Sequence, residues 1–242
     1  MRSFAPPVCD PDAVDSLLFA RGHAVLDHHG VERLVGVTLP LARWSPLWDD
    51  LPPDTYLRDG GHYRRRRHGC SVVDGDAVTE VPHRAHWQPV AYNALHGGIE
   101  RHFEALPASL TADPAWGALL VALGRRASAL RGPQPFFVEA HLFRIDTTDG
   151  IGRPTPEGAH RDGVDLVAVT LVARHGVRGG ETRVFDADGP TGVRFTMEEP
   201  GATLLLDDTR VIHESTPVQP VDGLGWRDTL VVTLRSGGFQ GP

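Results

Sequence analysis

The sequence predicts a mainly β protein with a helical annex, an α+β chain. After Pro135 it breaks into short alternating or β-branched runs punctuated by glycine and proline, two amphipathic stretches stand before that point, and 242 residues suffice for one core. Seven short strands in roughly 100 residues favour a sandwich or jelly roll over an alternating α/β order. We therefore expect one folding unit over residues 1–242, with a helical and mixed part at 1–134 packed on a β core at 135–238.

Asp10-Pro11 followed by Ala13, Val14, Leu17 and Leu18 predicts a capped helix ending near Gly22, with proline at its first position. Asp113-Pro114 repeats the device ahead of a longer helix. There Trp116, Leu119, Leu120, Leu123, Ala127 and Leu130 recur at spacings of three and four until Gly132-Pro133. A third helix is expected within Gln88 to Leu106, against the resistance of Gly97-Gly98. The strands expected are Phe136–Ile145, Val164–Ala173, Thr182–Asp186, Gly192–Thr196, Ala202–Leu206, Val211–His213 and Arg227–Leu234. Gly179-Gly180 should mark a tight turn between two of them.

Composition excludes several chemistries. All 24 positive side chains are arginine, so the chain has no lysine for a Walker-type phosphate loop, a pyridoxal phosphate Schiff base or a lysine general base. A net charge of -7 gives the whole chain no pull toward a polyanion, and nucleic acid is not an expected partner. The apolar run from Trp116 to Leu123 is far short of a membrane span. Pro6, Pro7, Asp10 and Asp12 occupy the place where a signal peptide needs apolar residues, so a soluble, cytoplasmic protein with no membrane partner is expected. Cys9 and Cys70 match no zinc spacing and imply no disulfide.

The informative chemistry lies in PEGAHRDGVD and LLLDDTRVIHES. His160 and Asp162, one residue apart, project from the same face of an extended segment, and His213 follows 53 residues later, after an apolar strand. Two imidazoles and one carboxylate can hold one face of an octahedral metal and leave the other positions open, as in non-haem iron(II) oxygenases. An H-x-D pair alone could equally be a packed histidine beside a turn aspartate. Arg227, 14 residues beyond His213, makes the order more specific, because it shares a strand face with Thr229 and the pair suits a carboxylate held away from the metal.

These segments resemble the iron(II)- and 2-oxoglutarate-dependent dioxygenases, and within them the bacterial group that includes the free L-isoleucine hydroxylases. The matching stretches are Pro156–Asp165, RGGET at Arg178–Thr182, Leu204–Ser215 and WRDTLVVT at Trp226–Thr233. DGGHYRRRR at Asp59–Arg67, QPVAYNALHGGIERHFEAL at Gln88–Leu106 and EAHLFRI at Glu139–Ile145 also match, together about two thirds of the chain. The resemblance implies a double-stranded β-helix core, Fe(II) on His160, Asp162 and His213, and the distal carboxylate of 2-oxoglutarate on Arg227 and Thr229. It further implies consumption of O2 and hydroxylation of an unactivated carbon with release of succinate and CO2. The interval from His213 to Arg227 exceeds the family's commonest spacing, and an exposed loop through Pro217, Pro220, Gly223 and Gly225 is expected to absorb the excess.

Of the remaining residues, alternation sends Arg64 and Arg66 to one side and Arg65 and Arg67 to the other, which makes Arg66 a candidate substrate contact. Glu139 and His141, on one face of the strand entering the core, could meet a substrate ammonium group, or form an ordinary edge ion pair. Gln88 and Asn93 could offer amide contacts to substrate, or cap and pack. Asp207 and Asp208 could orient metal ligands or simply make a turn. His28-His29 and His83-x-x-His86 read as surface histidines. The expected substrate is a small molecule, foremost a free amino acid. The alternatives are a peptide or carrier-tethered residue, and a non-catalytic metal-binding sensor. Oligomeric state is left open by the sequence.

Overall fold

The computed structural model describes residues 4–93 and 95–242, so the first three residues and Ala94 lie outside them. Asp10 accepts the Asp12 amide at 3.0 Å and opens a 3-10 turn that runs into α1 (Val14–Arg21), which Gly22 ends at φ 71°. β1 (His23–Leu26) and α2 (His28–Val35) follow, with Asp27 accepting the Gly30 amide at 2.7 Å. A short α3 (Leu41–Trp44) and a 3-10 turn to Trp48 lead to the hairpin of β2 (Arg64–Asp74) and β3 (Ala77–Glu80). α4 (Ala108–Thr111) precedes α5 (Pro114–Arg131). Asp113 caps α5 on the Ala115 amide at 3.0 Å and also accepts the Trp44 indole N–H at 2.9 Å, so one carboxylate starts a helix and ties it to another.

The second half runs β4 (Phe136–Asp146), β5 (Leu166–His175), β6 (Val177–Gly179), β7 (Thr182–Asp186), β8 (Gly192–Phe195), β9 (Thr203–Asp207), β10 (Val211–Ser215), β11 (Val218–Pro220) and β12 (Trp226–Ser236). A seven-stranded antiparallel sheet has the order β1-β9-β5-β12-β4-β2-β3; β10-β7-β8 and β11-β6 form smaller sheets. This is a jelly-roll core with helices laid on one face of its larger sheet. Alternation divides the strands' labour. Val138, Ala140 and Leu142 of β4 and Leu230, Val232 and Leu234 of β12 pack with Trp44, Trp48, Trp116 and Leu120. Glu139, His141 and Phe143, with Val231 and Thr233, face the other way into a cavity.

Trp48 fixes the helical layer to the sheet. It is fully buried, and its indole N–H points at the carbonyls of Phe143 (3.1 Å) and Thr229 (3.2 Å). Trp48→Phe keeps most of the apolar burial and removes the donor. Urea unfolding should show a loss of about 1–2 kcal/mol, and an unchanged midpoint would rule out an energetic role for that bond.

Four expectations need correction. No helix forms among the described residues of 88–106. Instead, Gly97 and Gly98 donate to Asn93 and Gln88 carbonyls at 2.8 Å each, and a Cβ on Gly97 would sit 2.5 Å from the Asn93 carbonyl oxygen. The segment is a compact loop that crosses β2, bridging His68 with Ala105 and His86 with Arg101. The β core is not confined to 135–238, because β1, β2 and β3 of the mixed N-terminal part belong to the main sheet. The interval after His213 is only partly a loop: Val218 is buried in β11, and only residues 221–224 are a continuous exposed turn. Gly179 and Gly180 take the expected positive φ, 81° and 67°, where β6 gives way to β7, although no tight turn forms between the strands. No helix of the described residues is long and apolar enough to cross a membrane.

Candidate active site

β10 and the segment before β5 meet in one antiparallel bridge, with His160 N donating to His213 O at 3.0 Å and His213 N returning the bond at 2.9 Å. That pairing sets the two imidazoles 4.7 Å apart between ring centres. Asp162 closes the triangle: His160 Nε2 and His213 Nε2 each lie 3.8 Å from one of its carboxylate oxygens. One ligand atom from each residue lies within 4.8 Å of the other two, a spacing that suits three donors around one cation.

The surroundings hold these groups in place. Gln88 Nε2 donates to Asp162 Oδ1 at 3.1 Å, and its side-chain oxygen Oε1 accepts from Asn93 Nδ2 (3.1 Å) and Arg101 Nη2 (2.9 Å). Asp208 accepts the amides of Asp162, Gly163 and Val164 at 2.8–3.1 Å and so clamps the turn that follows the carboxylate. Asp207 plays another part, pairing with Arg131 of α5. His160 Nδ1 lies 2.9 Å from the Gly158 carbonyl, which accepts its N–H and leaves Nε2 facing Asp162.

Electrostatics favour a cation here. Burial and the neighbouring Glu157 raise Asp162, and burial with Asp162 pushes Asp208 up to about 6. Burial and His160 hold His213 down to about 3, which keeps a neutral imidazole available as a ligand. Glu157, with an unpartnered buried Oε2, stands 3.6 Å from His160 Nε2. Three crowded carboxylates and two imidazoles fit a divalent metal.

Two other groupings with metal-ligand chemistry share His68: His68, His86 and His141, and His68, Cys70 and Glu139. Arg66 Nη2 donates to His141 Nδ1 at 2.8 Å, which puts a fixed positive charge inside the first of them. His68 Nε2 and His86 Nδ1 both reach Glu139 Oε1, at 3.1 and 3.3 Å. The cluster therefore reads as a network holding Glu139. Burial alone would raise that carboxyl, but the imidazoles of His86 and His68 keep it well below the usual range. His86 is buried, which corrects the surface reading of His83-x-x-His86; the loop crossing β2 carries it inward. His28 and His29 do sit toward solvent, beside Glu32.

Arg66, Gln88, Asn93, Glu139 and His141 all border one cavity with Asp162. The guanidinium of Arg66 is sandwiched between Phe103 (3.8 Å to the ring centre) and Phe143 (4.4 Å). Arg64, His86, Arg101 and Glu157 border the same space, and the sequence reading missed all four as site residues. Extending the alternation of Arg64 and Arg66 to His68, and of Glu139 and His141 to Phe143, would have marked this face. Nothing local announces Arg101. Arg227 and Thr229 do not border that cavity; they lie on the same face of β12, further toward its start. Both are buried, and Arg227 keeps Nε and Nη2 sealed from solvent without a partner. Burial and the nearby Arg174 lower Arg227 to about 10. An orphaned buried guanidinium fits a carboxylate ligand.

A family model described as 2OG-Fe dioxygenase matches residues 45–233. The structure is similar to that of a bsmA homolog from Methylobium petroleophilum PM1, at 54% identity and a TM-score of 0.92, covering 100% of this chain and 99% of that one. It shares its fold with IDO from Bacillus thuringiensis (15% identity, TM-score 0.75, 98% of this chain and 100% of that one). It also shares it with the Fe(II)/(alpha)ketoglutarate-dependent dioxygenase TqaL (21% identity, TM-score 0.70, 96% and 90%). No curated protein matches the chain.

Proposed function

We propose a substrate class for this chain, which belongs to the 2OG-Fe dioxygenase family: a free amino acid or similar small zwitterion, hydroxylated at an unactivated carbon. The family uses Fe(II), 2-oxoglutarate and O2. In this reading His160, Asp162 and His213 hold the iron, and Arg227 with Thr229 holds the distal carboxylate of 2-oxoglutarate. Once bound, they couple decarboxylation of 2-oxoglutarate to succinate and CO2 with oxygen insertion into a substrate C–H bond.

The observation that carries the substrate class is the presence of both signs of charge in the lining of one cavity. Arg64, Arg66 and Arg101 line it, each with a buried guanidinium nitrogen that has no partner, and Glu139 and Glu157 line it too. A free amino acid brings a carboxylate and an ammonium group to such a pocket. A peptide-bonded residue brings neither and a carrier thioester lacks the carboxylate, so either would leave buried charges unmatched. Phe143, Val164 and Val231 supply a modest apolar wall for the carbon to be attacked.

A panel of amino acids with Fe(II) and 2-oxoglutarate, read by mass spectrometry, should reveal one that gains the mass of an oxygen atom with matching succinate. Arg66→Met should raise KM for that amino acid by about a hundredfold and leave KM for 2-oxoglutarate near wild type. Turnover of only the carrier-bound or peptide form, or O2 uptake with none of them, would overturn the reading.

A further inference from the structure

We propose that Arg174 is a second anchor for the distal carboxylate of 2-oxoglutarate, acting beside Arg227. This rests on the assignment of Arg227 above and adds a residue that no sequence motif marks.

The placement comes from an irregularity in the sheet. On β5, Leu171, Val169 and Val167 lie opposite Thr229, Val231 and Thr233 of β12, so all six share the face that looks into the barrel. Strict alternation would turn Arg174 toward the opposite face, with Val172 and Thr170. The register shifts between Asp228 and Thr229: Leu171 faces Thr229, Ala173 faces Asp228, and Val172 is the extra residue. This bulge returns Arg174 to the barrel face, directly opposite Arg227.

Two arginines opposed across adjacent strands repel each other. Neither has a carboxylate within 4.0 Å among the described residues, and Asp228, the nearest in sequence, is engaged by Arg144 at 2.7 Å. Arg174 donates Nη2 to the carbonyls of Gly179 (2.7 Å) and Val177 (3.3 Å), which fixes its guanidinium over the end of β6. Its Nη1 is sealed from solvent without a partner, as are Nε and Nη2 of Arg227. Gly180 keeps a side chain out of the gap beside them: a Cβ there would lie 3.0 Å from Val218 Cγ1, 3.1 Å from Arg174 Nη1 and 3.6 Å from Arg227 Cδ. Two like charges, three orphaned nitrogens and a glycine that leaves room together describe a seat for one carboxylate gripped from both sides.

Titration calorimetry of 2-oxoglutarate into the full chain loaded with Mn(II) tests this without turnover. Arg174→Met should weaken 2-oxoglutarate by roughly tenfold or more while leaving the affinity for pyruvate, which has no distal carboxylate, within about twofold. Relief of the repulsion should also leave the ligand-free unfolding temperature of Arg174→Met at or above that of wild type. Unchanged 2-oxoglutarate affinity, or equal losses for 2-oxoglutarate and pyruvate, would overturn the proposal. Arg227→Met separates the two assignments: if it loses 2-oxoglutarate and Arg174→Met does not, only the second anchor fails. If Arg227→Met also binds normally, the carboxylate site itself lies elsewhere.

Discussion

Asp162→Asn should lose at least about a thousandfold in turnover while the ligand-free protein becomes more stable. The substitution is nearly isosteric, and its amide oxygen can still accept the Gln88 bond that Asp162 accepts at 3.1 Å, so the two imidazoles keep their setting. The anionic charge is what disappears. In the folded chain that charge is buried and crowded by Glu157 and Glu139, which raises it rather than stabilising it. A metal reverses the balance, because it is drawn by the carboxylate that the empty fold finds costly. Thermal unfolding without metal, calorimetric Fe(II) or Mn(II) affinity and succinate release therefore move in different directions. A variant that binds metal like wild type and turns over within tenfold of it would remove Asp162 from the ligand set. Asp162→Glu keeps the charge but moves it by one methylene, and a displacement near 1 Å costs about a hundredfold when geometry matters.

This opposition between stability and function runs through the site. Arg227 and Arg174 repel each other, Glu157 has a bare oxygen, and Arg64, Arg66 and Arg101 each keep a buried nitrogen without a partner, although Arg64 Nε meets Asp54 at 2.7 Å and Arg66 Nη1 lies 3.7 Å from it. The apolar layer on the other face of the sheet supports such a wall. Burying one large aliphatic or aromatic side chain contributes about 1.5–3 kcal/mol, and Leu142, Leu166, Leu230, Leu234, Trp44 and Trp48 are all nearly inaccessible.

Features set by neighbours in sequence were legible before the fold was known. Asp10-Pro11 and Asp113-Pro114 start helices because a short carboxylate next to proline satisfies the first free amides wherever it occurs. The β-branched runs after Pro135 became strands within a few residues of their expected ends. His160, Asp162 and His213 came together because H-x-D sits beside a strand end and the partner histidine follows another. β2 was harder, since Arg64 to Arg67 looks like a solvated charge run. Asp54, Phe103 and Phe143, distant in sequence, are what make burial of two of those arginines tolerable. The loop at 88–106 has enough apolar residues for a helix, but Gly97 fits only where backbone closes on backbone. The bulge that aims Arg174 is a property of two paired strands and has no single-strand signature.

The buried imidazoles of His68, His86 and His141 should drain stability from this protein well above the pH at which ordinary carboxylates titrate. His68, His86 and His141 are all buried on the barrel face, and burial lowers all three, His86 to about 3. Arg66 opposes their protonation from beside His141, and Arg101 opposes it at His86, while Glu139 offsets only part of the cost. In the unfolded chain the same imidazoles titrate near 6.5. A depressed folded value means that their contribution is complete above about pH 6.5 and drains away as the pH falls toward about 3, where His86 protonates in place. Glu139, also depressed, acts in the same direction but only below its unfolded value near 4.5, and Asp208, pushed up to about 6, opposes the loss, so a net loss between pH 6.5 and 4.5 belongs to histidine. One unit below 6.5 His86, held down to about 3, costs roughly 1.4 kcal/mol, and His141 and His68, lowered in the same direction, add to it. That is a measurable share of the roughly 5–15 kcal/mol that holds a domain together. Urea unfolding at pH 7.5, 6.5 and 5.5 should show this slope. His86→Gln, less stable at pH 7.5, should flatten it by about one proton, roughly 1.4 kcal/mol per pH unit. Because His160 and His213 are unaltered in that variant, their own titration cancels in the comparison. Parallel curves for wild type and His86→Gln would mean that folding leaves the proton affinity of His86 unchanged near 6.5, and a steeper acid loss in His86→Gln would mean that His86 is charged in the folded protein and holds Glu139 by an ion pair.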